Sequence, residues 1–152
     1  MERLIKYLYT VLCFVMFLFA DLFISGVLAN HWAKINCNNP IFKLTYVKNT
    51  GAAFNILPNS RELLIILSVV AITLLAVYIV RHIKGIRFVE LFFIAMLSAG
   101  IAGNLHERII YGFVRDFFQL KFTHFPVFNV SDILITIGVI VLAIIIIAKK
   151  AR

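Results

Sequence analysis

Asp116 and Asp132 stand sixteen positions apart in a chain with only seven Asp and Glu in all. Asp116 lies in Arg115-Asp116-Phe117-Phe118, and Asp132 ends Phe128-Asn129-Val130-Ser131-Asp132. Two carboxyl groups held close together cannot both ionise easily, so they share a proton. One then acts as base toward water while the other donates a proton to a carbonyl. This is aspartic-protease chemistry, and it calls on no metal and no cofactor. On residue types alone, two acids near one face of a helical bundle equally suit a proton or cation path, or polar glue between helices. No metal-ligand spacing of the CxxC or HExxH kind occurs, and the four histidines form no such pattern. Cys13 lies in an apolar run and Cys37 in a loop, which is no disulfide framework.

The elements that must position these acids are membrane spans. Of the 152 residues, 62% are hydrophobic and 14% charged, against roughly 25% charged in a soluble domain. The mean hydropathy is +1.00. Disorder, a disulfide-rich scaffold and a cytosolic enzyme are poor fits. The net charge of +8 sits in clusters between apolar runs, which sets orientation in a bilayer and does not predict a nucleic-acid partner. Apolar runs of spanning length predict an all-α integral membrane protein with four transmembrane helices, over about 4–29, 62–81, 88–105 and 131–148. Residues 1–152 form a single membrane domain, with outer loops at about 30–61 and 106–130. The first run is longer than a signal-peptide core and no small-x-small cleavage pattern precedes the loop, so a retained anchor is expected.

Lys/Arg density orients the spans. Arg3 and Lys6, then Arg81, Lys84 and Arg87, then Lys149, Lys150 and Arg152 crowd into very short segments. The other side carries nearly as many, spread over two longer loops. Both termini are therefore expected in the cytoplasm. In the first outer loop, the alternation over Phe42–Tyr46 predicts a strand, and Asn49-Thr50-Gly51 and Pro58-Asn59 predict turns. Residues 106–131, mixed polar and aromatic, are expected along the membrane surface.

Helical rise converts these spans into depths. Lys6 to Asp21 is about 22 Å, while Arg87 to Asn104 and Lys149 to Asp132 are each about 25 Å. With basic residues at one interface, Asp21, Asn104 and Asp132 reach a common layer below the opposite surface. Span two adds nothing polar there. Ionisable groups at such depth face the bundle interior. Arg108 shares a helix face with Asn104 and is placed to steady a carboxylate. The small residues of Ser98-Ala99-Gly100-Ile101-Ala102-Gly103 allow close helix approach.

Four stretches together carry a resemblance. Asn49-Thr50-Gly51-Ala52-Ala53-Phe54, Gly103-Asn104-Leu105-His106-Glu107-Arg108, Gly112-Phe113-Val114-Arg115-Asp116-Phe117 and Phe128-Asn129-Val130-Ser131-Asp132 resemble, in order and spacing, the motifs of bacterial lipoprotein signal peptidase (type II signal peptidase). The resemblance covers nearly the whole chain. It implies an aspartic endopeptidase of the bacterial cytoplasmic (inner) membrane, whose site faces the outer leaflet. Such enzymes remove the signal peptide of diacylglyceryl-modified prolipoproteins, cutting just before the lipidated cysteine. It further implies Asp116 and Asp132 as the catalytic pair. Asn49, Gly51, Asn104, Arg108, Asn129 and Asp21 become residues that shape the site and position substrate. An outer β-sheet and a short surface helix are implied beside four spans, and a monomer is expected.

Three positions depart from the family pattern. Ser25 stands where the first helix has a lysine, Glu107 replaces an Asp, and Ser131 replaces a small Ala. Ser131 is placed to add a hydrogen bond to Asp132. Plainer roles are open on local grounds. Asp132 suits a helix N-cap, and Asp116 suits a loop acid paired with Arg115 or Arg108. Asn49 and Gly51 suit an ordinary turn, Asn104 an interhelical hydrogen bond, and Arg108 an interface anchor.

Overall fold

The computed structural model describes residues 1–31, 34, 35, 39–52 and 56–151. Four helices are long and apolar enough to cross a membrane: α1 (Glu2–His31), α2 (Arg61–His82), α3 (Phe88–Tyr111) and α4 (Val130–Lys150). Strand β1 (Phe42–Asn49) follows α1, and β2 (Val114–Leu120) lies between α3 and α4. β1 is longer than the alternation over Phe42–Tyr46 predicted. Among the described residues these two strands are the only regular elements outside the long helices. The short surface helix implied by the resemblance is not among them. Part of the 106–130 stretch is instead helix and strand, because α3 runs six residues past Leu105 and β2 begins soon after. Trp32, Cys37, Ala53 and Phe54 lie outside the described residues.

α3 is the hub and packs against α1, α2 and α4. It has the largest buried share of the four, while α2 buries only Leu64. The sequence reason is the small-residue run. A Cβ at Gly100 would sit 2.6 Å from the Ser131 carbonyl oxygen, and one at Gly103 would sit 2.0 Å from Asp21 Oδ2. A Cβ at Gly138 on α4 would sit 2.9 Å from the Leu97 Cβ. Because the obstacle at Gly100 is backbone, Gly100→Ala should lower stability by about 1–3 kcal/mol. Thermal unfolding of the purified variant checks this, and an unchanged melting temperature would contradict it.

At the end of the bundle carrying the chain termini, the buried Lys6 donates to the Lys84 carbonyl at 3.1 Å and pairs with Glu2 at 2.9 Å. It thereby ties α1 to the α2–α3 turn. At the opposite end α3 stops at Gly112, whose φ of 84° is a left-handed conformation that suits glycine. Arg61, at the start of α2, donates to the carbonyls of Arg108 and Ile109 at 2.8 and 3.1 Å. This satisfies acceptors that a helix end leaves open.

Candidate active site

Strand pairing carries Asp116 to the helix that bears Asp132. β1 and β2 run antiparallel, with Val47 opposite Asp116 and Asn49 opposite Val114, and a register shift between Leu44 and Val47. After β2 the chain loops back, and Phe128 bridges to Phe118. The Phe117 and Phe118 amides both donate to the Phe128 carbonyl, at 3.0 and 2.9 Å. Phe117, wholly buried, packs edge-on to Tyr46. The next residue, Asn129, therefore arrives beside Asp116 as α4 begins.

Asn129 joins the two acids. Its Nδ2 donates to Asp116 Oδ1 at 2.9 Å and to Asn104 Oδ1 at 3.1 Å. Its Oδ1 accepts from the Asp132 amide at 2.9 Å, while its own amide donates to Asp132 Oδ2 at 3.2 Å. The last two bonds are a capping box, so Asn129, and not Asp132, is the N-cap of α4. Asn104 Nδ2 completes the ring by donating to Asp132 Oδ1 at 2.9 Å. Asn49 Nδ2 donates to Asp116 Oδ2 at 3.0 Å. Among the described residues each carboxylate oxygen of the pair thus receives one neutral donor and no ion pair.

Arg115, immediately before Asp116, does not pair with it. Its Nε donates to Glu107 Oε2 at 2.7 Å, and its second nitrogen meets Oε1 of the same carboxylate. The guanidinium also lies 4.1 Å from the Tyr111 ring centre. The Glu107 hydrogen bond pushes the Arg115 pKa further up, which keeps this cation charged. Arg108 turns to carbonyls instead of a carboxylate, donating to Asn104 O at 3.2 Å and Gly51 O at 2.8 Å. No ion pair joins it to either aspartate among the described residues. Its charge still acts on Asp116 through space. The Gly51 amide donates to Asn49 Oδ1 at 2.9 Å, an Asx turn that holds the Asn49 amide toward Asp116.

Asp116, 1% exposed, has its pKa pushed up to about 7. Burial is the main cause and the neighbouring Asp132 charge the second. The bonds from Asn49 and Asn129 and the Arg108 charge pull the other way. Asp132 lines a cavity of about 610 Å³ with Asn49, Asn104 and Arg108 at its polar end. The rest of the cavity runs between Leu64, Leu67 and Ala71 of α2 and Ile133, Thr136 and Ile137 of α4. Asp116 does not line this cavity; the lining residue Asn49 joins it by a hydrogen bond.

Asp21 lies against Gly103 and Ser131, the neighbours of Asn104 and Asp132, but joins neither of those two side chains by a hydrogen bond among the described residues. It is buried, yet its Oδ2 accepts from Ser131 Oγ at 2.8 Å and its Oδ1 has no partner among the described residues. Ser131 consequently bonds Asp21 and not its neighbour Asp132. A side chain at the second position of a helix points away from the third, so the expected Ser131–Asp132 bond is replaced by a tie between α1 and α4. Arg61 and the Glu107–Arg115 pair were missed in the sequence. Arg61 lies 47 positions from its acceptor, and no local pattern marks such a contact.

The arrangement is a pair of acids on a strand and a helix, bridged by amides, at the head of an apolar groove. A profile described as signal peptidase (SPase) II matches residues 12–148. The chain belongs to the signal peptidase II family. A lipoprotein signal peptidase of Streptococcus thermophilus is 39% identical over 123 residues, covering 76% of this chain and 80% of that one. One of Halothermothrix orenii is 43% identical over 98 residues, covering 64% and 65%. A solved bacterial membrane enzyme matches with a TM-score of 0.79 at 30% identity, over 94% of this chain and 89% of that one. As a signal peptidase II, the chain is a multi-pass membrane protease of the aspartic type.

Proposed function

We propose that the chain removes the signal peptide from diacylglyceryl-modified prolipoproteins, cutting just before the lipidated cysteine, with Asp116 and Asp132 activating the hydrolytic water. The observation that carries this is Asn129, whose side chain donates to the Asp116 carboxylate and whose backbone amide donates to the Asp132 carboxylate, with no ion pair to either among the described residues. Two carboxyls so coupled hold one proton between them. The charged member takes a proton from water and the neutral member gives one to the scissile carbonyl. Asn104, Asn129 and Asn49 fix the carboxylate oxygens. Arg108 and Gly51 join the β1 turn to α3. Asp21, through Ser131, supports the start of α4 from behind.

The apolar groove between α2 and α4 suits the signal helix and the acyl chains, which enter sideways from the bilayer. The site lies toward the outer leaflet of the bacterial inner membrane with both termini cytoplasmic, and the chain works as a monomer. The test is cleavage of a diacylated prolipoprotein peptide by the purified protein beside the same peptide without lipid. Cleavage before the lipidated cysteine, and little or none of the control, is expected. Equal cleavage of both would overturn the substrate assignment.

Proton sharing sets a pH dependence. With the Asp116 pKa at about 7, a proton remains in the pair below that pH. As pH rises through it, both acids ionise and the proton donor is lost. Turnover of the lipidated peptide should therefore fall on an alkaline limb with an apparent midpoint near pH 7, a value belonging to the pair. Turnover that is flat to pH 9 in stable protein would contradict this.

A further inference from the structure

The end of the bundle remote from the aspartates holds a second cavity, of about 490 Å³. Arg3 of α1, Arg81 at the end of α2, Lys84 in the turn to α3, and Lys149 of α4 line it. Its one carboxylate, Glu90, is already taken by two cations, with Lys149 Nζ at 2.7 Å and Arg87 Nε on the other oxygen. The side chains of Arg3, Arg81 and Lys84 make no hydrogen bond or ion pair among the described residues. Three segments distant in sequence thus bring surplus positive charge to one cavity with no free carboxylate side chain among the described residues. Charges that only set orientation need to be on the correct side of the membrane and need not converge. Guanidinium groups bind phosphate oxygens in a fork, and a basic cavity between helix ends at a membrane surface suits an acidic lipid headgroup. Tyr78, Ile83 and Ile86 supply an apolar flank beside the cations, suited to the glycerol and ester part of a lipid.

We propose that this cavity binds the phosphodiester headgroup of an anionic membrane lipid. The proposal rests on the membrane placement of the helices and not on the aspartate pair. The experiment measures lipid retention by the purified full chain in nanodiscs of phosphatidylcholine, with and without a minor fraction of phosphatidylglycerol. Retention is quantified by mass spectrometry, and inorganic phosphate serves as a separate competitor. Phosphatidylglycerol should be enriched over phosphatidylcholine. Arg81→Ala and, separately, Lys84→Ala should each weaken that enrichment about fivefold. Lys150→Ala removes the same charge at the same end but is outside the cavity, and should leave enrichment nearly unchanged. Peptide cleavage, which uses none of these side chains, reports that each variant is folded. Equal loss in all three variants would show a diffuse surface field and overturn the proposal, as would the absence of enrichment. Displacement by millimolar phosphate as effective as by the lipid itself would reassign the cavity to a free anion and overturn the lipid assignment.

Discussion

Asp116→Asn and Asp132→Asn should each abolish measurable cleavage of a diacylated prolipoprotein peptide, a loss of at least about 10³-fold in kcat. The substitutions are nearly isosteric, and each amide can still accept at one oxygen position from Asn129, Asn104 or Asn49. Loss of turnover should therefore come without loss of fold, checked by an unaltered elution volume and helical circular dichroism. What disappears is the shared proton. An amide does not ionise, so it cannot serve as base, and it cannot pass a proton to the leaving group. Activity within tenfold of the parent in either variant would remove that residue from the chemistry.

Arg115→Ala should destabilise the protein by about 3–5 kcal/mol, because it leaves Glu107 buried without its cation. Glu107 and Arg115 side chains are 6% and 12% exposed, so water cannot easily replace the lost partner. The pair also links the last turns of α3 to the residue preceding Asp116, and the Tyr111 ring covers the guanidinium. Activity should fall with stability. The double variant Glu107→Leu, Arg115→Leu should regain most of the lost stability, since replacing both members of a buried pair by apolar groups is often neutral. Thermal unfolding in one detergent, across the parent and both variants, checks this. A single variant as stable as the parent would show the pair to be solvated and dispensable.

Much of the frame was legible in the sequence because bilayer physics is blunt. Four long apolar runs admit few structures other than four helices, and the small residues from Ser98 to Gly103 mark α3 as the helix others approach. The acids stood out because so few are present. The link between Asp116 and Asp132 through Asn129 was not legible from spacing. It depends on the Phe128–Phe118 bridge, which turns the loop back onto β2, and a single ladder contact leaves no period to detect. The pairing of the two acids came from the resemblance and not from any local pattern. Ion partners were the least legible. Arg115 suited its neighbour Asp116 on local grounds, yet its guanidinium lies on Glu107, eight positions back across the left-handed turn at Gly112. Ser131 likewise has two candidate acceptors, and the helix direction selects Asp21 in α1 over its own neighbour.

The central claim is that Asp116 and Asp132 act as one unit, and a double-mutant cycle on kcat/KM measures that directly. Lipidated peptide would be cleaved by the parent, Asp116→Asn, Asp132→Asn and the double variant under identical conditions, with enough enzyme to follow residual rates. A shared proton predicts that the double variant is no slower than the worse single variant, because removing either acid already dismantles the pair. Losses that multiply, so that the double variant falls by the product of the two single effects, would mean that the carboxylates work independently and would contradict the account.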